Sequence, residues 1–444
     1  IEGNSAMGKT NRFGTFPSFG VAWNMEKESF LENQNWLDEA KLRVSLGWSG
    51  NAPDGASLYL GAYQSLGSYM NLPAIYPVRI QLDKLKWSTS REWNYGLDLA
   101  LLEGKINMTF DYYNKYTYDL LLKDVSIPST TGYASIKYYN SREMSNKGWE
   151  FRTDYELFKN KDLRVALNFN ISRNINNVEK LPENLKEENY SFGNGNYAIR
   201  IVEGDPVGSF YGYRYKGVYQ NTQETYALDA EGNIMQDYQG RIIQMKNGSL
   251  NVFPGDAKYE DINHDGVINE YDIVYLGNSN PLIIGGGGFS TKYKQLTLTA
   301  FFYGRYGQKV INSARMSLES MYGTNNQSTA VLKRRRSEGD DTDIPRALSG
   351  LGYHYLGSDR FVEDASFVRL KTLSLTYSVP GKFCQRIGVN NLNIFCTGYD
   401  LFTWTNYTGQ DPEVSLPSSA TSLVKDGATT PCSKRLSLGF NLNF

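Results

Sequence analysis

The chain has 444 residues, and its 46 lysine and arginine residues against 47 aspartate and glutamate residues give a formal net charge of -1. Such a balance creates no global field, which excludes a general binder of nucleic acid or other polyanions. Aromatic residues make up 14% of the chain, and glycine occurs 42 times against 14 prolines. This composition is typical of many strands joined by turns and exposed loops, and it argues against a helical bundle.

Cysteine usage and hydropathy restrict the class further. Cys384, Cys396 and Cys432 lack the spacing of a zinc site and are too few for a disulfide framework, which leaves one bridge open, between Cys384 and Cys396 or between Cys396 and Cys432. No stretch approaches the roughly 20 apolar residues of a membrane-spanning helix, and residues 1–4 do not resemble a signal peptide. A membrane barrel stays open, because its strands need only about ten residues of alternating pattern.

Alternation of apolar and polar residues predicts a series of strands. In chain order the runs cover residues 19–23, 42–48, 95–101, 106–112, 149–157, 163–171, 296–302, 367–377, 392–402 and 435–444. In the last run, the apolar positions are Leu436, Leu438, Phe440, Leu442 and Phe444. We expect about eleven or twelve strands. Between Leu370 and Leu373 the apolar phase changes, which predicts a bulge.

The connections between these runs alternate in length. Short links join residues 101–106, 157–163, 293–296 and 377–392, whereas long ones cover 50–86, 113–147, 173–281, 304–360 and 403–434. A membrane barrel turns tightly on one side and carries long loops on the other, whereas a soluble sandwich, which periodicity alone favours, has no reason to do so. The predicted fold is therefore all-β, a transmembrane antiparallel β-barrel with long extracellular loops.

Aromatic side chains near the predicted strand ends are typical of the girdles at the two membrane interfaces. They are Trp23, Trp48, Trp87, Trp93, Tyr112, Tyr116, Trp149, Tyr377 and Trp404. The alternative is that several of them belong to a core or to a loop.

Residues 261–272 have the spacing of an EF-hand-type calcium loop, with glycine at position six. Calcium prefers six to eight hard oxygen ligands, and the loop offers them at the expected positions. The predicted ligands are Asp261, Asn263, Asp265, the carbonyl of Val267 and Asp272, which replaces the usual glutamate. A bound Ca²⁺ would be structural and would hold the long extracellular excursion 177–280. The alternative is an Asn/Asp/Gly-rich turn without metal.

The sequence offers few residues that could carry out catalysis. Only two histidines occur, His264 inside the acidic loop and His354 in a Tyr/Gly-rich segment, so neither a catalytic triad nor a zinc hydrolase is supported. Glu150 and Asp154 could imitate a glycosidase pair, but their place on the polar face of a strand indicates lining of a barrel lumen. We expect that the chain is not an enzyme.

Motifs spread over nearly the whole chain carry a resemblance to one family. They are NRFGTFPSF at 11–19, LRVSLG at 42–47, NKGWE at 146–150, VEGDPVGSFYG at 202–212, the acidic loop, VEDASFVRLK at 362–371, YTGQDPEV at 407–414 and the final segment 435–444. Together they resemble the SusC/RagA family of TonB-dependent outer-membrane transporters. The resemblance implies that residues 1–444 form the C-terminal part of a roughly 22-stranded barrel. The plug domain and the first barrel strands would then be absent from this chain.

The resemblance also implies a function and partners. The function is import of oligomeric nutrients, glycans or oligopeptides, across the outer membrane of a Gram-negative bacterium. The partners are a SusD-like lipoprotein, the TonB complex through the absent N-terminal part, the N-terminal half of the barrel and outer-membrane lipid, in a dimer of SusC–SusD pairs, without nucleic acid. Phe444 resembles the terminal aromatic signal for barrel insertion. The alternative is a secreted or surface all-β carbohydrate-binding or adhesive protein with a structural calcium site.

Overall fold

The computed structural model describes residues 1–32, 34–70, 72–133, 135–181, 188–414 and 423–443. Within these residues, eleven long strands form one antiparallel sheet in which each strand pairs with its neighbours in sequence. They are β1 (Ser18–Asn24), β2 (Leu37–Asn51), β3 (Ser88–Leu101), β4 (Ile106–Ser126), β5 (Ser135–Lys159), β6 (Leu163–Lys180), β7 (Ile283–Tyr293), β8 (Leu296–Tyr306), β9 (Phe367–Ser378), β10 (Asn391–Thr405) and β11 (Arg435–Asn443). Phe444, the predicted terminal aromatic, lies outside the described residues.

The register of the sheet follows from the alternation in the sequence. Leu97, Phe110, Phe151 and Ile171 are directly opposed across β3 to β6, so that they form one apolar row on the same face. The predicted bulge is confirmed, because the pairing of β9 with β10 shifts between Leu370 and Thr372. An extra residue in one strand moves the following side chains to the other face, which explains the change of apolar phase.

Turns and loops alternate along the sheet as predicted. Residues 102–105, 160–162 and 294–295 make tight turns at one end, where the links 25–36 and 379–390 also lie. Residues 52–87, 181–282, 307–366 and 406–434 form long connections at the opposite end.

The predicted loop at 113–147 is wrong in extent. β4 continues to Ser126 and β5 begins at Ser135, so most of this segment is a projecting hairpin. Register shifts around Leu120 interrupt the two-residue period, and Asp119 has a φ of 56°. These irregularities hide the strands from a search for regular alternation.

The segments outside the large sheet contain short elements of their own. The short strands are Glu2–Gly3, Phe13–Gly14, Ala62–Tyr69, Leu72–Arg79, Glu188–Asn189, Ile199–Arg200, Ser209–Gly212, Tyr215–Val218, Lys246–Asn247, Leu250–Asn251, Ala257–Tyr259, Val267–Ile268, Val274–Asn278, Lys309–Asn312, Val362–Asp364 and Lys425–Asp426. The α-helices of the described part are α1 (Ser313–Leu318) and α2 (Gly381–Arg386). None of the described helices is long and apolar enough to cross a membrane.

Side chains are buried mainly where the long connections pack against one another at one end of the sheet. One apolar cluster joins Tyr213, Val252 and Ile268 of the connection 181–282 to Leu356 of the connection 307–366. A second cluster joins Phe210, Ile311 and Phe361 to Tyr407 and Val424 of the last connection. The described parts of the connections 181–282, 307–366 and 406–434 therefore share cores and form a loop layer at one end of the sheet, whereas 52–87 packs in a cluster of its own with Met7 and Tyr138.

Trp87 does not belong to a girdle: its ring is buried, packs edge-on against Phe16 at 5.4 Å, and donates a hydrogen bond to the carbonyl of Asn11. It precedes β3 and closes an apolar cluster beneath the first loop, which removes it from the outer surface.

Cys384, Cys396 and Cys432 are free thiols, so neither of the two bridges left open by the sequence forms.

Candidate functional site: a two-faced wall and its loop layer

One face of the sheet exposes an apolar band that runs across the strands. Leu438 is 76% exposed, yet it sits in the middle of a regular hydrogen-bonded strand. Side chains of the same kind are Phe19, Val21, Trp23, Trp93, Tyr95, Phe110, Tyr112, Leu167, Phe169, Leu298, Leu375, Tyr377, Ile394, Phe402, Trp404, Leu436 and Phe440. A band of this extent is stable only against hydrocarbon or a large partner.

The opposite face carries polar and charged side chains that pair across strands. Arg43 Nε lies 2.7 Å from Asp98 Oδ2, and Arg43 Nη2 lies 3.2 Å from Asp111 Oδ1, which links three neighbouring strands. The hydroxyls of Ser374 and Thr397 are 2.7 Å apart. Since charges avoid hydrocarbon, this face must line a wet space.

Two adjoining cavities, of about 480 and 490 Å³, lie on this polar face toward the loop layer. Both are lined by Tyr113, Met144, Asn146 and Asn174, and Glu150 lines the first. The predicted place of Glu150 on the polar face is thus confirmed.

The walls of these cavities hold a chain of neutral polar groups. Tyr113 donates its hydroxyl to Asn174 Oδ1 at 3.1 Å, and Asn174 donates to Asn146 Oδ1 at 3.3 Å. Asn176 donates to the same oxygen at 3.0 Å. Amides and a phenol in this arrangement can exchange hydrogen bonds with a polar ligand. No motif assigns a binding role to these residues: Asn146 begins the segment NKGWE at 146–150, which carries only the family resemblance, and the others are marked by their polar phase at the loop-side ends of neighbouring strands.

The acidic loop 261–272 folds around its first carboxylate. Asp261 Oδ2 accepts a hydrogen bond from the amide of Gly266 at 2.8 Å, and Asp265 Oδ1 accepts one from the amide of Val267 at 2.7 Å. Gly266 has a φ of 81°, the left-handed conformation that the sixth position of such a loop requires. The turn geometry therefore agrees with the sequence motif.

The twelfth residue of the loop closes it from inside. Asp272 is fully buried, and its two carboxylate oxygens accept hydrogen bonds from the amides of Ile262 and Asn269, each at 2.8 Å. Burial raises the pKa of this carboxyl, and the negative charges of Asp261 and Asp265 raise it further.

The predicted ligands are thus close together but directed mainly at the loop's own backbone. Asn263 contacts Asp265, and the carbonyl of Val267 accepts a hydrogen bond from Asn269 at 3.1 Å. Among the described residues, no group of three or more histidine, cysteine, aspartate or glutamate side chains is placed to hold a metal ion. The calcium assignment therefore stays a prediction.

A sheet with an apolar outer face, a wet inner face, tight turns at one end and ordered loops at the other defines the wall of an outer-membrane β-barrel. A sequence profile of the family described as TonB dependent receptor-like, beta-barrel, matches residues 2–253. The chain belongs to this family and lies in the outer membrane of a Gram-negative bacterium. The family consists of receptors and transporters, which confirms that the chain is not an enzyme.

Curated relatives match along the whole chain. TonB-dependent receptors P3 and P26 of Formosa agariphila are 29% and 30% identical over 100% of this chain, and the matches cover 43% and 44% of those proteins. TonB-dependent receptor SusC of Bacteroides thetaiotaomicron is 28% identical over 93% of this chain, which covers 39% of that protein. The chain thus spans less than half the length of these relatives.

Solved structures show the same architecture. The structure of the RagAB peptide transporter superposes with a TM-score of 0.77 at 24% identity, covering 99% of this chain and 44% of the matched chain. At this identity the match supports the fold alone.

Proposed function

We propose that this chain forms the C-terminal part of the barrel of an importer that takes up oligomeric nutrients, glycans or oligopeptides. The observation that carries the proposal is the pairing of an apolar outer face with a polar inner face in a chain that belongs to the TonB-dependent receptor family. The N-terminal half of a roughly 22-stranded barrel and its plug would complete the transporter, and TonB would act through that half.

The cavities around Asn146 are the proposed contact surface for the nutrient. Their hydrogen-bonding groups are amides and a phenol, which suit sugar hydroxyls and peptide bonds alike. A SusD-like surface lipoprotein is the proposed partner, and the loop layer is the surface that it would bind. We further propose that two such pairs associate.

Uptake by the whole transporter tests this function. Asn146→Leu removes an oxygen that accepts two hydrogen bonds, so we expect about tenfold weaker nutrient binding or uptake. Asn441→Leu is the matched control, because Asn441 lies on the polar face of β11 and outside the cavities around Asn146. Mass spectrometry of ligands that copurify with the native complex would identify the nutrient. Extraction of the protein from cells without detergent would instead support the adhesive alternative.

We propose, as a separate point, that residues 261–272 bind one Ca²⁺ with a structural role. The spacing of the oxygen groups, the left-handed Gly266 and the position of Asp261 and Asp265 in one turn support it. The loop also pairs with the rest of the excursion, since Val267 and Ile268 lie beside Lys246 and Asn247 in a parallel pair. An ion bound here would stabilise the packing of the excursion.

A further inference from the structure

The apolar outer face has a recess near its loop-side end. Gly285 of β7 and Gly304 of β8 are directly opposed, and the same row continues to Ile171 on one side and Val368 on the other. Two consecutive positions of the row therefore lack side chains. Gly287, two residues along β7, extends the gap toward the middle of the sheet.

Aromatic side chains form the walls of this recess. Phe169 and Phe302 flank Gly287 in the next row, and the ring of Trp404 lies 6.3 Å from that of Phe302. Val368 and Trp404 are 48% and 54% exposed. Together these residues enclose a groove of about 550 Å³, a volume typical of pockets for small molecules.

The loop-side end of the groove is polar. Ser366, Thr405 and Asn406 line it there, and Thr405 donates its hydroxyl to the carbonyl of Ser366 at 2.7 Å. Tyr306, 62% exposed, stands at the same end. The groove is thus apolar along its length and hydrogen-bonding at its mouth, which is the distribution found in an amphiphile.

We propose that this groove binds one acyl chain of a lipid from the outer leaflet of the membrane. The groove is continuous with the surface that faces hydrocarbon, so membrane lipid is the material in contact with it. If the groove stayed empty, the aromatic side chains of its walls would lose dispersion contacts. Water would not fill it well, because the glycine floor offers a water molecule few hydrogen-bond partners. A flexible chain fills such a gap without loss of contact.

The width of the groove decides against a membrane-spanning helix as its occupant. Ile171 and Val368 are three strand spacings apart, about 14 Å between backbones, and their own side chains narrow the gap. A helix is about 10–12 Å across with its side chains, so it does not reach the glycine floor. A single hydrocarbon chain does.

Native mass spectrometry of the whole transporter, extracted from outer membranes in mild detergent, tests the proposal. Gly287→Leu fills the floor, and its Cβ would lie 3.3 Å from Phe169 Cδ2, a contact that a small movement of the ring relieves. Val368→Trp fills the groove from the opposite wall without changing a glycine. Thr291→Leu is the control, because it adds apolar volume on the same face of β7 away from the groove.

We expect one retained lipid per barrel in the wild type and in Thr291→Leu, and about tenfold lower occupancy in the two filling variants. The proposal is overturned if the wild type carries no lipid, if the bound mass is a lipoprotein anchor, or if the filling variants retain lipid. Should Gly287→Leu not insert, Val368→Trp alone decides. The result depends on the outer face and not on nutrient import, so failure of either proposal is distinguishable from failure of the other.

Discussion

Arg369 of β9 donates from Nη1 to Oε2 of Glu413 at 2.8 Å and so joins the barrel wall to the connection 406–434. The side chain is 2% exposed. Its other nitrogens contact Asp411 Oδ1 at 2.5 Å and Thr403 Oγ1 at 2.8 Å. Each donor group of this buried cation thus has a partner, which is the condition for such a charge to be stabilising.

Removing this cation should loosen the last loop. Arg369→Met keeps the length of the side chain but removes the cation that pairs with Asp411, whereas Glu413 keeps its ion pair with Lys371 at 2.9 Å. The expected cost is therefore about 3 kcal/mol, at the lower end for breaking a buried pair. Proteinase K should cleave within 406–434 much faster than in the wild type. Arg241→Met is the control, since Arg241 pairs with Asp237 on an exposed surface and should change stability by less than about 1 kcal/mol. Equal cleavage of the two variants would show that Arg369 does not anchor the loop.

Acid should separate two of the long loops. Burial opposes the charge of Asp256, but hydrogen bonds from His354 and Arg346 outweigh it and lower the pKa of this carboxyl. A folded-state pKa below the unfolded value, about 3.9, gives stability that is present above that value and is lost as pH falls through the folded pKa. Protection of the backbone amides in 253–257 and 346–356 against hydrogen exchange, measured relative to their intrinsic exchange rates, should therefore decrease below about pH 4.

Asp256→Asn should remove this acid-dependent change and give fast exchange already at neutral pH. The carboxylate is held by Arg346 Nε at 2.6 Å and lies 3.3 Å from His354 Nε2, and the amide replaces a charged acceptor. Slow exchange in the variant at pH 7 would count against the role of Asp256 in joining the loops.

The calcium loop is testable by metal content. In the double variant Asp261→Ala and Asp265→Ala, we expect loss of one bound Ca²⁺ per chain, measured by elemental mass spectrometry, and faster hydrogen exchange in 246–268. Asp229→Ala is the control, because Asp229 shapes a similar turn of the same excursion by accepting the amide of Asn233 at 2.7 Å. Identical metal content in the wild type and the double variant would refute the assignment.

The two faces of the sheet should respond oppositely to charge. Leu438→Lys places a cation in hydrocarbon and should destabilise the barrel by about 2–4 kcal/mol near the bilayer centre. Ser437→Lys, one residue earlier on the inner face, should be nearly neutral. Urea unfolding in lipid vesicles measures both. Similar stabilities would mean that the exposed apolar face does not contact lipid.

Much of the sheet could be predicted because the alternation of apolar and polar residues along each strand follows the different environments of its two faces. In β11 the apolar positions face hydrocarbon and the intervening ones face water, so a period of two suffices to define strand and orientation. The bulge near Leu370 was visible for the same reason. At Asp119 and Leu120 the irregular backbone breaks the period, and the hairpin around them was missed.

The candidate site was harder to predict than the wall. Tyr113, Asn146 and Asn174 come from three strands and meet only through the register of the sheet. None of them has a spacing in the sequence that marks a binding role. The acidic loop, by contrast, is contiguous, so its spacing carries the prediction.

The shared cores of the long connections determine how the mouth of the barrel can move. Since Leu356 of one connection is packed among Tyr213 and Ile268 of another, neither can swing away without exposing apolar surface. A displacement of either connection would therefore carry the other with it, and a mutation deep in one of them would be felt in its neighbour.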